Sequence, residues 1–138
     1  MSVDRHTFLD DLIRTFADIY LANVQAGSRA PIAFIHGVTG PHAVRLLINH
    51  VDNGTGDELL VRVWQATAGI YSAYGEPGAV STYDRNDQSD VEDIVEQAIR
   101  TADEHAIKFV ETCLDEHRRH PATVFLAAAA DAAARLMS

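Results

Sequence analysis

The chain has 138 residues, 47% of them apolar and 22% charged, and its 20 acidic against 11 basic residues give a net charge of −9. That length suits one domain with one sizeable core. The acidic balance argues against nucleic acid and against anionic membrane surfaces, since both need Lys and Arg to neutralise them. A single cysteine, Cys113, leaves no intrachain disulfide, so a cytoplasmic setting is the expectation. The start, MSVDRHTF, lacks the apolar stretch of a secretory leader, and no apolar run approaches the ~20 residues of a membrane span.

In chain order, Phe8, Leu9, Leu12, Ile13, Phe16, Ile19 and Tyr20 recur at helical spacing and predict a helix over residues 7–25. Thr7 is its expected N-cap, and Gly27-Ser28 its stop. Residues 31–36 form a short apolar segment. Gly37 can supply a left-handed C-terminal residue, and Thr39 or Gly40 can cap a restart with Pro41 in the first turn. The expectation is two helical pieces with a kink at Gly37–Gly40, the second reaching about Asp52. Asn53-Gly54-Thr55-Gly56 reads as a loop.

Residues 57–74 predict the next helix, with Leu59, Leu60, Val63, Trp64, Ile70 and Tyr71 as its apolar stripe. Residues 76–88 are polar and irregular, the composition of a mobile loop or lid. Ser89 with Glu92 forms a capping box that opens a long helix to Arg119. Pro121 then restarts a last helix to Met137. No segment alternates with period two; Val80–Tyr83 is the nearest and it is weak. The predicted fold is therefore a single all-α domain of about five main helices, a helical array or bundle.

Chemistry has few places to sit. His36 ends an apolar run beside Gly37, which lets a backbone or ligand approach closely, and the helix starting at Pro41 offers free N–H donors. The plainer reading is a buried histidine bonded to a carbonyl across the kink. In the long helix, His105 and Lys108 project side by side at the edge of the stripe Val91, Val95, Ala98, Ala102, Phe109 and Cys113. That suits two ligands or an acid–base pair. On pattern alone the plainer reading is favoured: Lys108 has Glu104 and Glu111 within a turn and reads as a solvated, ion-paired lysine. His117 and His120 read as surface residues that complement the helix dipole. His42 and His50 have no partner in sequence. No Walker loop, dinucleotide fingerprint, nucleophile elbow or CxxC is present, and Cys113 falls on the apolar stripe.

Four stretches, FIHGVTGPHAVRLL (Phe34–Leu47), VWQATAGIYSAYG (Val63–Gly75), DEHAIKFVETCLDEH (Asp103–His117) and PATVFLAAAA (Pro121–Ala130), resemble in order and spacing the C-terminal part of the questin oxidase-like family. The FIHxVT element followed by HxIK is the more specific pair. The resemblance implies a mostly helical oxygenase that acts on an aromatic polyketide by Baeyer–Villiger-type or related oxidative ring cleavage. O₂ would be its co-substrate, with NADPH in some members. It also implies a non-haem iron site, in which His36, His105 and Lys108 would stand at the motif positions, with Lys108 neutral or carbamylated to offer a ligand. Trp64, Tyr71 and Tyr74 are candidates for an apolar substrate pocket, with core packing the favoured role for Trp64. Larger members bring further histidines in an N-terminal half that residues 1–30 do not match. The resemblance therefore implies a homo-oligomer, or a complex with a subunit that supplies that half. The alternative is a non-catalytic helical protein that binds an aromatic ligand or a partner.

Overall fold

The computed structural model describes residues 4–137; Met1–Val3, on which the leader reading partly rests, and Ser138 lie outside it. Six α-helices make up the described chain: α1 (Arg5–Gln25), α2 (Pro31–Leu47), α3 (Asn53–Tyr74), α4 (Val91–Arg100), α5 (Glu104–Arg119) and α6 (Thr123–Arg135). A single 3-10 turn, Ile48–His50, follows α2. No strand occurs among the described residues, and none of their helices is long and apolar enough to cross a membrane. The all-α array is as expected.

The core is built where α1, α2, α5 and α6 meet. Leu9, Ile13, Ala17 and Tyr20 of α1 are fully buried at helical spacing. The Tyr20 ring packs on Phe109 of α5 with centroids 4.7 Å apart. Its hydroxyl donates to Asp131 of α6, which Arg135 also holds. Burial in the core, reinforced by the Asp131 charge, pushes the Tyr20 phenol far above its ordinary range. Ala128, Ala129, Ala132 and Ala133 are fully buried, and their small side chains let α6 lie close against its neighbours.

The structure departs from the sequence reading in three ways, each for a physical reason. The expected break at Gly37–Gly40 does not occur: α2 is one helix with Pro41 inside it. Pro41 cannot donate to the Gly37 carbonyl, a cost of ~3 kcal/mol in a helix interior. Its ring is fully buried, which offsets part of that cost. Gly37 is no helix stop but a notch, since a Cβ there would overlap the Phe16 ring of α1. Thr39 caps nothing forward; its hydroxyl donates back to the Ile35 carbonyl.

The second difference is the long helix, which is two. It stops at Thr101, turns through Ala102 at a φ of +53°, and restarts with Asp103 as N-cap of α5. The third lies at the helix starts, where Asn53–Gly56, expected as a loop, is instead the first turn of α3. Asp4, Asp52 and Asp90 cap α1, α3 and α4, with Thr7 and Thr55 donating to the first two. Ser89 bonds Asp87 instead of closing a capping box.

Residues 75–90 are irregular, as expected, yet they form a strap more than a lid. Asn23 accepts the Glu76 N–H, Gln25 exchanges hydrogen bonds with Thr82, Ser81 donates to Asp18, and Thr123 donates to the Arg85 carbonyl. The strap therefore lies along α1 and touches the start of α6.

Helix α3 is the outlier. Arg5 pins its first turn through Asp57 and Asn53. Yet only Gly56, Val63 and Thr67 of its 22 residues are buried.

Candidate functional site

Helices α2 and α5 form one seam. The contacts His36–His105 at one end and His42 and Arg45 with Glu116 at the other show that the two helices run parallel. Each end of the seam carries histidines, in opposite environments.

At the first end, the His36 and His105 rings meet edge to face, with centroids 5.7 Å apart and planes at 82°. His36 is exposed, so the plainer expectation of a buried, carbonyl-bonded histidine does not hold. It lies on the outer face of α2, opposite the buried row Phe34, Val38, Pro41 and Arg45. His105 is half-buried in the first turn of α5. The Asp103 carboxylate accepts the His105 backbone N–H at 2.8 Å and faces its Nδ1 at 3.3 Å. The backbone hydrogen bond from His105 holds the Asp103 carboxyl below the usual carboxylate range, against a smaller opposing effect of burial. An ionised carboxylate only accepts, so this contact calls for a proton on Nδ1, and in the neutral ring Nε2 is then the nitrogen with a lone pair to offer a ligand.

Lys108 lies one turn along the same helix. It is exposed and its Nζ sits 3.5 Å from Glu104, the ion pair that spacing foretold. A carbamate on Nζ would supply oxygens; the ammonium supplies no lone pair.

These residues fit an iron ion in part. His36 and His105 are two imidazole donors within reach of one another, and Asp103 orients one of them as outer carboxylates do. Among the described residues, however, no three His, Cys, Asp or Glu side chains are grouped to hold a metal. The remaining donors would have to come from elsewhere.

The aromatic residues expected to line a substrate pocket do not converge. Trp64 is 54% exposed and lines a groove of about 310 Å³ with Phe8, Leu60 and Val61. Tyr74 borders a different hollow, with Asn23, Ala30 and Glu76. Tyr71 is exposed. Neither Trp64 nor Tyr71 packs in the core, as their place on the predicted stripe implied.

The other end of the seam was not foreseen. Arg45 and Glu116 are 7% and 3% exposed and form a two-point ion pair, at 3.0 and 2.8 Å. Arg45 also donates to Asp10 at 2.6 Å and faces His6 Nδ1 at 3.2 Å. His42 Nδ1 donates to Glu116 Oε2 at 3.0 Å, and Arg119 donates to Asp10. Burial pushes the Glu116 carboxyl up, but the hydrogen bonds from His42 and Arg45 outweigh it and hold the group below its ordinary value. The network joins α1, α2 and α5. A signal was present: Arg45 continues the apolar row Phe34, Val38, Pro41, and Glu116 continues Phe109 and Cys113. A charge at a core position implies an opposite charge facing it. Cys113 is fully buried, and burial pushes its thiol far above the ordinary range, so packing is its role.

In comparisons with known proteins, no family model, no curated protein and no solved structure matches this chain.

Proposed function

We propose that the chain is a questin oxidase-like oxygenase, or one subunit of such an enzyme, acting on an aromatic polyketide in secondary metabolism with O₂ as co-substrate. The observation that supports this reading is the meeting of His36 and His105. They belong to separate motifs on separate helices, and they face each other at an accessible edge of the seam. His36 and His105 would hold iron, which when bound would activate O₂. This chain's own part is to hold the two imidazoles against each other, to orient the His105 ring through Asp103 so that Nε2 points away from the carboxylate, and to leave the pair open to substrate. With only two donors, the site is completed by Lys108 as a carbamate or by another subunit. NADPH as electron source belongs to the same reading.

The test is anaerobic titration of the untagged protein with ferrous iron, followed by metal analysis. Near-stoichiometric iron, lost in His36→Ala and His105→Ala with helicity unchanged, is the expected result. No bound iron, or binding indifferent to both substitutions, overturns it. A second reading is favoured by the exposed aromatics of α3: a helical protein that binds an aromatic ligand or a partner without turnover. It predicts ligand binding that needs Trp64 or Tyr71 and neither histidine.

A further inference from the structure

The surface of α3 raises a separate question. A 22-residue helix with three buried positions leaves most of its circumference unpacked. Val61, Trp64, Ala68 and Tyr71 recur at i, i+3, i+7 and i+10, which is one stripe, and Tyr74 stands a turn beyond. Val61, Trp64, Tyr71 and Tyr74 are 49%, 54%, 46% and 54% exposed. Trp and Tyr are the residues that carry most binding energy at protein interfaces.

We infer that this stripe is a self-association surface, on which α3 of a second copy of the chain packs antiparallel. Charge selects the occupant. The chain carries −9 overall, so most of its faces repel a second copy. A two-fold axis sets a patch against itself, which only a patch free of net charge tolerates. From Val63 to Tyr74, α3 has no Asp, Glu, Lys or Arg. Its charged residues are Asp57, Glu58 and Arg62, and each is engaged: Asp57 by Arg5, Glu58 by Arg62. Parallel packing would set Asp57 and Glu58 against their own copies. Antiparallel packing sets them at opposite ends and brings Trp64 over Tyr71 of the second copy, with the small Ala68 near the axis.

Area agrees. Three aromatic side chains about half exposed leave on the order of 300 Å². With Val61, Leu60 and Phe8 the patch reaches roughly half of the ~800 Å² per partner of a standard interface, close to the usual apolar share. The stripe contains neither His36 nor His105, so the dimer forms whatever chemistry those residues perform.

The test is sedimentation equilibrium of the full chain beside Trp64→Glu, Tyr71→Glu and, as a control on α4, Ile99→Glu, with helicity checked by circular dichroism. A dimer is expected for the parent and for Ile99→Glu. Association should weaken at least roughly thirtyfold in the two α3 variants, the loss of one central contact residue. Ala68→Cys should cross-link into a dimer on oxidation while Val61→Cys does not, since only residues near the axis meet their own copy; Cys113 is buried and does not compete. A monomeric parent overturns the inference, as does a dimer indifferent to both α3 substitutions or lost in Ile99→Glu alone. Equal cross-linking at Val61 and Ala68 overturns the antiparallel arrangement.

Discussion

The two ends of the α2–α5 seam use the same residue type to opposite effect. At the inner end His42 bonds Glu116, Glu116 pairs with Arg45, and Arg45 bonds Asp10, so the strongly polar atoms there are engaged with one another. At the outer end His36 and His105 have each other and Asp103, and the pair is open to solvent on one side. A saturated network holds helices together and has nothing left to offer a ligand. An under-partnered pair contributes little to folding and keeps its lone pairs available. The inner end is therefore where stability resides, and the outer end is where chemistry has room.

The largest test of that division is Glu116→Ala. It leaves the buried Arg45 guanidinium without its two-point partner, and removing one member of a buried ion pair costs about 3–5 kcal/mol. Urea unfolding should show the loss, and Arg45→Ala should match it. Acid should act on the same end. The Glu116 carboxyl is held below its ordinary value of 4.5 in the folded protein. It therefore contributes stability that is fully present above that value and is lost as pH falls below it, through the depressed folded value. Glu116→Gln should flatten this acid limb relative to the parent. The comparison with the parent matters, because Asp4, Asp52 and Asp103 are shifted in the same direction.

The outer end should respond weakly. Asp103→Ala removes the N-cap of α5 and should cost about 1 kcal/mol, the usual value for a lost cap. It should also free His105 Nδ1, visible as a change in the imidazole nitrogen shifts. Smallest of all, His36→Ala should alter unfolding stability by less than ~0.5 kcal/mol, as at most exposed positions. A loss there as large as that of Glu116→Ala would break the division between the two ends.

How much of this was legible in the sequence varies from residue to residue. The helical periodicity of α1 can be read directly, because its buried residues recur cleanly. The α2 boundary cannot, because Gly37 and Pro41 are the ordinary signs of a break and here serve packing instead. The α4–α5 turn is hidden for the opposite reason. It contains neither Gly nor Pro, and Ala102 adopts the left-handed conformation that glycine usually takes. Read as one helix, the segment hides Asp103 as a cap and, with it, the carboxylate beside His105. The pairing of His36 with His105 has no periodic signal: each stands out within its own segment, and only the resemblance joins the two in one site. Periodicity puts Trp64 and Tyr71 on the apolar stripe of α3, because it identifies an apolar face without saying what covers it.

The notch at Gly37 couples two positions that are distant in sequence. Since any side chain there would run into the Phe16 ring, residue 37 can grow only if residue 16 shrinks. In a library randomised at both, the folded survivors should trade volume between them, with alanine at 37 accompanied by leucine or smaller at 16. The separation of α1 and α2 is thus recorded as a sum over two residues, and neither alone carries it.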